Sequence, residues 1–378
     1  MGTDSVIYIR TDGNSKIATG HLVRCLCIAQ ALESLGKQVR FLVSDTESET
    51  LLQDLATSIF PEYKFSFIVQ ILETAVYDNM GLEIAELTTL LSVQRSDSCC
   101  LPPHASMPLN AEIPSEGKPL ILIDSYYVTP AYLEALHPIA KVAYMDDLRT
   151  FDYDVDMVIN YDVIPVSKTE EYNRAYTNAG TTLLGAQYTP LRSQFRNLNI
   201  TLRENIENIL ITTGGSDPYH FTEEIISDLI SQGFSIDMRI VVGKLFDDTS
   251  VLKELAAQNP FVHLHHNVSD MAALMRRCDF AISAAGTTLY ELCALGIPTV
   301  SFTMADNQII MAETFAETGA VPYAGDIRNN KQTTLAGIKN HLFTLLQNYE
   351  KRQKQQQNMH GLVDGNGAIN IADALCRL

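Results

Sequence analysis

The sequence predicts an α/β protein of two Rossmann-like domains facing each other across a cleft, and three observations carry that expectation. Short apolar runs of strand length alternate with helix-period stretches almost throughout, the pattern of parallel sheets with crossover helices. The order strand, glycine-bearing loop, helix start occurs near residue 6 and again near residue 208. The stretch 190–205 is polar and carries no clear strand pattern, which places a boundary there and gives domains 1–198 and 199–378. Ligands of such sheets lie beyond the carboxyl ends of the strands, so both glycine loops belong at the cleft.

In chain order, Val6–Arg10 reads as the first strand and Thr11–Gly20 as a polar loop. His21–Leu35 follows as a helix with Leu22, Leu26, Ala29 and Leu32 on one face and Gly36 as its stop. Val39–Val43, Phe65–Val69, Leu120–Asp124 and Val142–Met145 continue the strands, and Thr129-Pro130 has the cap and first-turn proline of a helix start. The second series opens with strand Asn208–Thr213, the loop Gly214-Gly215-Ser216-Asp217-Pro218 and a helix from Tyr219 to Ile230. Strands Met238–Val242 and Phe261–His265 come next. Residues 281–308 then give a strand, the small-residue turn Ala284-Ala285-Gly286-Thr287-Thr288, a helix with Glu291 in its first turn and Gly296 at its end, and the strand Thr299–Phe302. Two segments break the alternation. Residues 92–118 are rich in proline and serine and read as a surface insertion, and Asn340–Met359 reads as one long helix whose amide-rich second half is solvated. The tail closes with a short helix.

The 378 residues are enough for two domains, and a hydrophobic share of 46% with 19% charged residues is that of a soluble globular chain. A net charge of −18 argues against a nucleic-acid or anionic-membrane partner, and it means that an anionic ligand has to be held by local groups. No stretch approaches the ~20 apolar residues of a membrane span. The N-terminus runs into a strand without a basic-then-apolar leader, and Gly2 opens no convincing acylation motif. Seven cysteines without metal spacing, Cys99-Cys100 adjacent among them, point to reduced thiols in a cytoplasm. His263, His265 and His266 lie on one strand, where His266 points away from the other two, so a strand edge is expected rather than a metal site.

The turn at 284–288 is a natural anion site, because unpaired N–H groups and the positive end of a helix face one point. Glu291, one turn in, can accept from paired sugar hydroxyls, so the segment fits a nucleoside diphosphate; an ordinary βαβ crossover fits it too. His21 stands at a helix start, where the positive helix end favours the neutral imidazole, able to take a proton from water or a sugar hydroxyl. Gly20 beside it lets a ligand approach the backbone. A structural hydrogen bond is the other reading of His21. Asp124 or Tyr126, at the end of the next strand, can orient His21 or bind a sugar hydroxyl. Asp146-Asp147 repeats that arrangement one strand on, and such carboxylates also serve as helix caps. Asn307-Gln308 can hold hydroxyl or acetamido groups, or cap the helix that follows. Neither glycine loop carries a Walker lysine, there is no Gly-x-Ser-x-Gly elbow, and the absence of Gly-x-Gly-x-x-Gly argues against a nicotinamide cofactor. No metal and no cofactor are expected.

The run IRTDGNSKIATGHLVRCLCIAQAL resembles the N-terminal motif of the UDP-sugar hydrolases of pseudaminic acid biosynthesis and their relatives among spore-coat polysaccharide proteins. LIDSYYV, AYMDDL, VIN (158–160), LLGAQYTPLRSQF, TTGGSDP, ISAAGTTLYELCALGIPTV and DNQ extend the resemblance from Val6 to about Tyr323. That family has the GT-B fold and converts UDP-2,4-diacetamido-2,4,6-trideoxy-β-L-altropyranose into UDP and the free sugar without a metal. The resemblance implies His21 as the base for the attacking water and Tyr126 and Asn307 as residues lining the sugar site. It implies Glu291 as the ribose carboxylate, as in the related lipid-II-forming N-acetylglucosaminyltransferase, and Gly214, Gly215, Ser283, Gly286, Thr287 and Thr288 as the residues around UDP. Asp12 and Arg10 would support His21, with Arg10, Gly20, Asp124 and Gln308 also near the substrate. Ala18 departs from the family's frequent glycine, and the 92–118 insertion is a second departure. The expected substrate is a small-molecule UDP-sugar. A GT-B glycosyltransferase with a UDP-sugar donor is the alternative, and a non-catalytic nucleotide-sugar sensor a third reading. No oligomeric state follows from the sequence.

Overall fold

The computed structural model describes residues 6–14, 17, 19–93, 117–198 and 200–378. Gly2, Ala18, Cys99, Cys100 and all but the ends of the 92–118 insertion lie outside the described residues. The chain divides into two compact units, one of residues 1–161, 167–190 and 367–378, the other of residues 162–166 and 191–366. A single cut at 198/199 therefore does not describe it, because the last helix belongs with the first unit. Among the described residues no helix is long and apolar enough to cross a membrane.

The first unit runs β1 (Val6–Thr11), α1 (Gly20–Ser34), β2 (Gln38–Val43), α2 (Thr46–Ile59), β3 (Ile68–Ile71), α3 (Val76–Val93), β4 (Leu120–Asp124), α4 (Pro130–Leu136), β5 (Lys141–Met145), β6 (Met157–Asn160), α5 (Thr169–Ala175) and β7 (Thr181–Leu184). Its seven strands are all parallel in the order β3-β2-β1-β4-β5-β6-β7. The central strands β1, β4, β5 and β6 are buried on both faces, as a parallel sheet with helices on either side requires. α4 starts where the sequence placed it, with Thr129 accepting from the Tyr132 N–H and Pro130 in the first turn. β3 lies three residues later than expected: Phe65 and Phe67 mimic strand alternation, but they are loop residues whose rings stack edge-on against Phe60 and Phe41.

The second unit runs β8 (Asn208–Thr212), α6 (Phe221–Ser231), β9 (Asp237–Val242), α7 (Ser250–Gln258), β10 (Val262–His266), α8 (Met271–Met275), β11 (Phe280–Ala284), α9 (Thr288–Leu295), β12 (Thr299–Thr303), α10 (Asp306–Glu317), β13 (Tyr323–Asp326), α11 (Ile327–Leu346) and α12 (Tyr349–Leu362). Its six parallel strands are ordered β10-β9-β8-β11-β12-β13. The helix expected over 340–359 is two helices, broken at Gln347 with Asn348 capping the second through the Lys351 N–H. Its second half is solvated on one side only. α12 packs on α9, with Arg352 and Gln355 buried. Arg352 donates to the carbonyls of Leu345 and Arg203, and Gln355 to those of Thr299 and Ala320. Amide and guanidinium groups seal this interface by pairing loop carbonyls, so its polarity hides its burial.

α13 (Gly367–Arg377) closes the chain on the first unit, where Ala368, Ile371, Ala372 and Leu375 join the core around α1. In both sheets the strand order reverses beside the first strand, at β1/β4 and at β8/β11. Such switch points open a crevice at the carboxyl end of the sheet. Asp12–Asn14, Ser125–Tyr127, Gly214–Gly215 and Ala285–Thr287 each lie at that end of their own sheet.

Candidate functional site

In the first unit, β1 and β4 pair with Thr11 opposite Asp124, and α1 starts above them. His21, in the first turn of α1, sends Nδ1 to Asp124 Oδ1 at 2.6 Å. One turn on, Arg24 grips the same carboxylate from the other side, Nε to Oδ2 at 2.6 Å and Nη2 to Oδ1. The 3.0 Å approach of Arg24 Nη2 to His21 Nδ1 follows from their shared acceptor. Burial alone would raise the Asp124 carboxyl, but the Arg24 guanidinium, and after it His21, holds it far below the ordinary carboxylate range. An ionised Asp124 accepts the Nδ1–H and so fixes the tautomer with Nε2 as the free base. Among the described residues nothing hydrogen-bonds to Nε2.

The network continues outward. Arg24 Nη1 donates to the Tyr161 hydroxyl at 2.7 Å and approaches Asp147 Oδ2 at 3.4 Å. Tyr126 donates to the same Asp147 oxygen at 2.9 Å while its ring meets His21 edge-on, centroids 4.6 Å apart. Burial, and then Asp147, raises the Tyr126 phenol, so it stays a donor. Half of Tyr126 remains exposed. A Cβ at Gly20 would meet nothing within 4 Å, so the backbone beside His21 is open.

Three expectations for this unit need correction. Arg10 is not a ligand contact: it is 1% exposed, forked onto Glu83 by two 2.9 Å bonds and bonded to Asp12 and Ser44. Asp12 does not touch His21, because its two oxygens take the Arg10 guanidinium and the Ser44 N–H and hydroxyl. Together with Tyr132, which donates to Glu83 at 2.7 Å, these groups form a buried knot that ties α3 and α4 to the end of β1. Asp124 is likewise sealed, its oxygens taken by His21 and Arg24, so it is not an open ligand contact.

In the second unit, the loop after β8 turns at Gly214 (φ +87°), a conformation suited to glycine. Beneath it Gly243 is packed so closely that a Cβ there would lie 2.5 Å from the Gly214 carbonyl oxygen. On the outer side a Cβ on Gly214 or Gly215 would meet nothing within 4 Å, and the same holds at Gly286. Among the described residues the N–H groups of Gly215 and Ser216 meet no acceptor, nor do those of Thr287 and Thr288 at the start of α9. Free N–H groups at a helix start beside an open turn form an anion cradle. Glu291, one turn into α9, is ion-paired through Oε1 to Arg192 Nη2 at 2.8 Å. Ser283 is corrected: it is 1% exposed and its hydroxyl donates to the Ala284 carbonyl, so it shapes the turn from beneath. Asn307 is exposed at the start of α10, while Gln308 turns its Oε1 back to accept from the Met304 N–H at 2.9 Å.

Sequence reading missed Arg24, Tyr161 and Arg192. Arg24 had a signal, a lone cation one turn after His21 on an otherwise apolar helix face. Arg192 had none, since its partner is far away in the chain.

The similarities to known proteins agree with this architecture. No family model matches the chain. Over 208 residues it is 26% identical to the spore coat polysaccharide biosynthesis protein SpsG of Bacillus subtilis, an alignment covering 54% of this chain and 60% of that protein. Over 177 residues it is 29% identical to the Helicobacter pylori pseudaminic acid cytidylyltransferase and UDP-2,4-diacetamido-2,4,6-trideoxy-beta-L-altropyranose hydrolase, covering 46% of this chain and 28% of that one. The chain thus spans less than two thirds of the length of either relative. Among solved structures, MurG of Acinetobacter baumannii matches over the full length of both chains with a TM-score of 0.59 at 15% identity. The fold is GT-B. A UDP-GlcNAc 2-epimerase from Neisseria meningitidis bound to UDP-GlcNAc matches equally fully, with a TM-score of 0.60 at 15% identity. Both sheets of the GT-B fold are accounted for here, each with its switch point beside its first strand.

Proposed function

We propose that the chain hydrolyses the anomeric C–O bond of a UDP-diacetamido-trideoxyhexose, releasing UDP and the free sugar for a nonulosonic acid of the pseudaminic type. The observation that carries this reading is His21, held by an ionised Asp124 through Nδ1 with Nε2 unclaimed. That is the arrangement of a general base for water. The cradle of the second unit suits a diphosphate, and Glu291 suits its ribose. The hydrolase activity in the name of the Helicobacter pylori relative is one these groups can perform.

In the reaction, the water oxygen bonds to the anomeric carbon as the bond from that carbon to the β-phosphate oxygen breaks. The bonding electron pair leaves on the UDP oxygen, and the water proton passes to His21 Nε2. The N–H groups of the cradle take up the charge growing on the phosphate. Asp124 stabilises the imidazolium that forms, and Arg24 keeps Asp124 in place without accepting a proton itself. In this reading the Tyr126 oxygen accepts from a sugar hydroxyl or acetamido N–H while its own proton stays directed at Asp147, and the exposed Asn307 offers its amide to the same class of groups.

The test is an NMR time course with a panel of UDP-diacetamido-trideoxyhexoses and no added acceptor. The wild type releases free sugar and UDP, whereas His21→Asn loses turnover by about 10²–10⁴-fold, the range of general-base catalysis, with its melting midpoint retained. Turnover that appears only with an acceptor alcohol would reassign the chain as a glycosyltransferase. Near-normal hydrolysis by the variant would remove His21 from the mechanism.

A further inference from the structure

We propose that Arg192 is a positioning residue for ribose recognition: it anchors one oxygen of the Glu291 carboxylate so that the other is presented to the vicinal hydroxyls of the nucleotide. The inference rests on the reading of the second unit as a UDP site and names what makes that site selective for a ribonucleotide.

Arg192 Nη2 donates to Glu291 Oε1 at 2.8 Å, and the two side chains are only 13% and 16% exposed. The guanidinium also lies against the Phe195 ring, its carbon 5.3 Å from the centroid, which restricts its rotamers. Oε2 of Glu291 meets no hydrogen-bond partner among the described residues, and it is not one of the sealed, unpartnered oxygens. The carboxylate is thus clamped at one atom and open at the other.

The clamp matters because the site is desolvated. Burial pushes the Glu291 carboxyl up and Arg192 opposes it. Once protonated, Glu291 would present a donor where a diol needs acceptors. Arg192 favours the ionised, acceptor-only form, whose charge turns away phosphate or carboxylate. A vicinal diol attached to an anion that reaches the free N–H groups of Thr287 and Thr288, one turn earlier, satisfies both features. That description is a ribonucleoside diphosphate.

The experiment titrates UDP and 2′,3′-dideoxy-UDP calorimetrically into the wild type, Arg192→Ala, Arg192→Lys and Glu291→Gln. The wild type is expected to prefer UDP by at least about tenfold, the value of a charge-assisted hydrogen bond. Arg192→Ala and Glu291→Gln should each bring the ratio to within about threefold by weakening UDP alone, and Arg192→Lys should keep most of it. Should the alanine variant not fold, Arg192→Gln fills the same space and gives the same comparison. A ratio left intact by loss of the guanidinium, or an equal loss for both nucleotides, overturns the role of Arg192 while leaving UDP binding standing. A wild type that binds neither nucleotide overturns the UDP reading of this unit, and the inference with it.

Discussion

Asp124→Asn is the most informative single substitution, because it keeps the shape of the side chain and removes the charge that His21 and Arg24 share. In the folded protein Asp124 is sealed and accepts from His21 Nδ1 at 2.6 Å and from Arg24 at both oxygens. An amide can accept at only one of the two positions, so its NH2 must face a donor, either His21 or Arg24. Removing one member of a buried ion pair costs about 3–5 kcal/mol. Arg24 keeps Tyr161 at 2.7 Å and Asp147 at 3.4 Å, which softens the loss to roughly 2–4 kcal/mol. At about 2–4 °C per kcal/mol for a unit of this size, the melting midpoint should fall by about 5–15 °C. The substitution also changes how stability depends on pH. The folded Asp124 ionises well below its unfolded value of about 3.9, so its contribution is complete above roughly pH 4 and is lost as pH falls below that. Melting curves recorded from neutral pH downward should therefore show wild type and variant converging below about pH 4. For activity, loss of the Nδ1–H acceptor frees the unwanted tautomer of His21, and kcat for UDP release should drop by about 10²–10⁴-fold with KM nearly unchanged. A variant that retains more than about a tenth of wild-type kcat, with an unshifted midpoint, would refute both the shared-acceptor geometry and the role given to His21.

Two further outcomes follow from packing. Gly243→Ala puts a Cβ 2.5 Å from the Gly214 carbonyl oxygen, which forces the Gly214–Gly215 turn outward. UDP affinity measured by calorimetry should weaken by about tenfold or more, since displaced N–H donors are lost to the phosphate; unchanged affinity would take that loop out of the cradle. Tyr132→Phe removes the 2.7 Å bond to the fully buried Glu83, which keeps its two bonds from Arg10. Urea unfolding should show a loss of about 1–2 kcal/mol with kcat unaltered, because the Arg10 knot is structural.

Most of the fold was legible in the sequence, and the physical reason is that strands, glycine stops and caps are local. The run before Asp124 is a strand from its own apolar residues, Thr129-Pro130 starts a helix from its own chemistry, and Gly296 ends α9 in the left-handed conformation expected of a helix stop. His21 and Glu291 were legible for the same reason, since a side chain in the first turn of a helix after a glycine loop is placed by a few neighbouring residues. Where aromatic spacing imitated a strand at Phe65 and Phe67, and where polar composition imitated solvent exposure in α12, local pattern misled, because burial is a property of what packs against a segment. Only the tertiary structure decided that Arg24 pairs with Asp124 across 100 residues of sequence and Arg192 with Glu291 across 99. It also decided that Arg10 and Asp12 satisfy one another out of reach of any ligand, and that the last helix returns to cover α1. A charge in the sequence carries no sign of whether it will meet a partner or a substrate; that is settled by which distant segments the fold of each unit brings together.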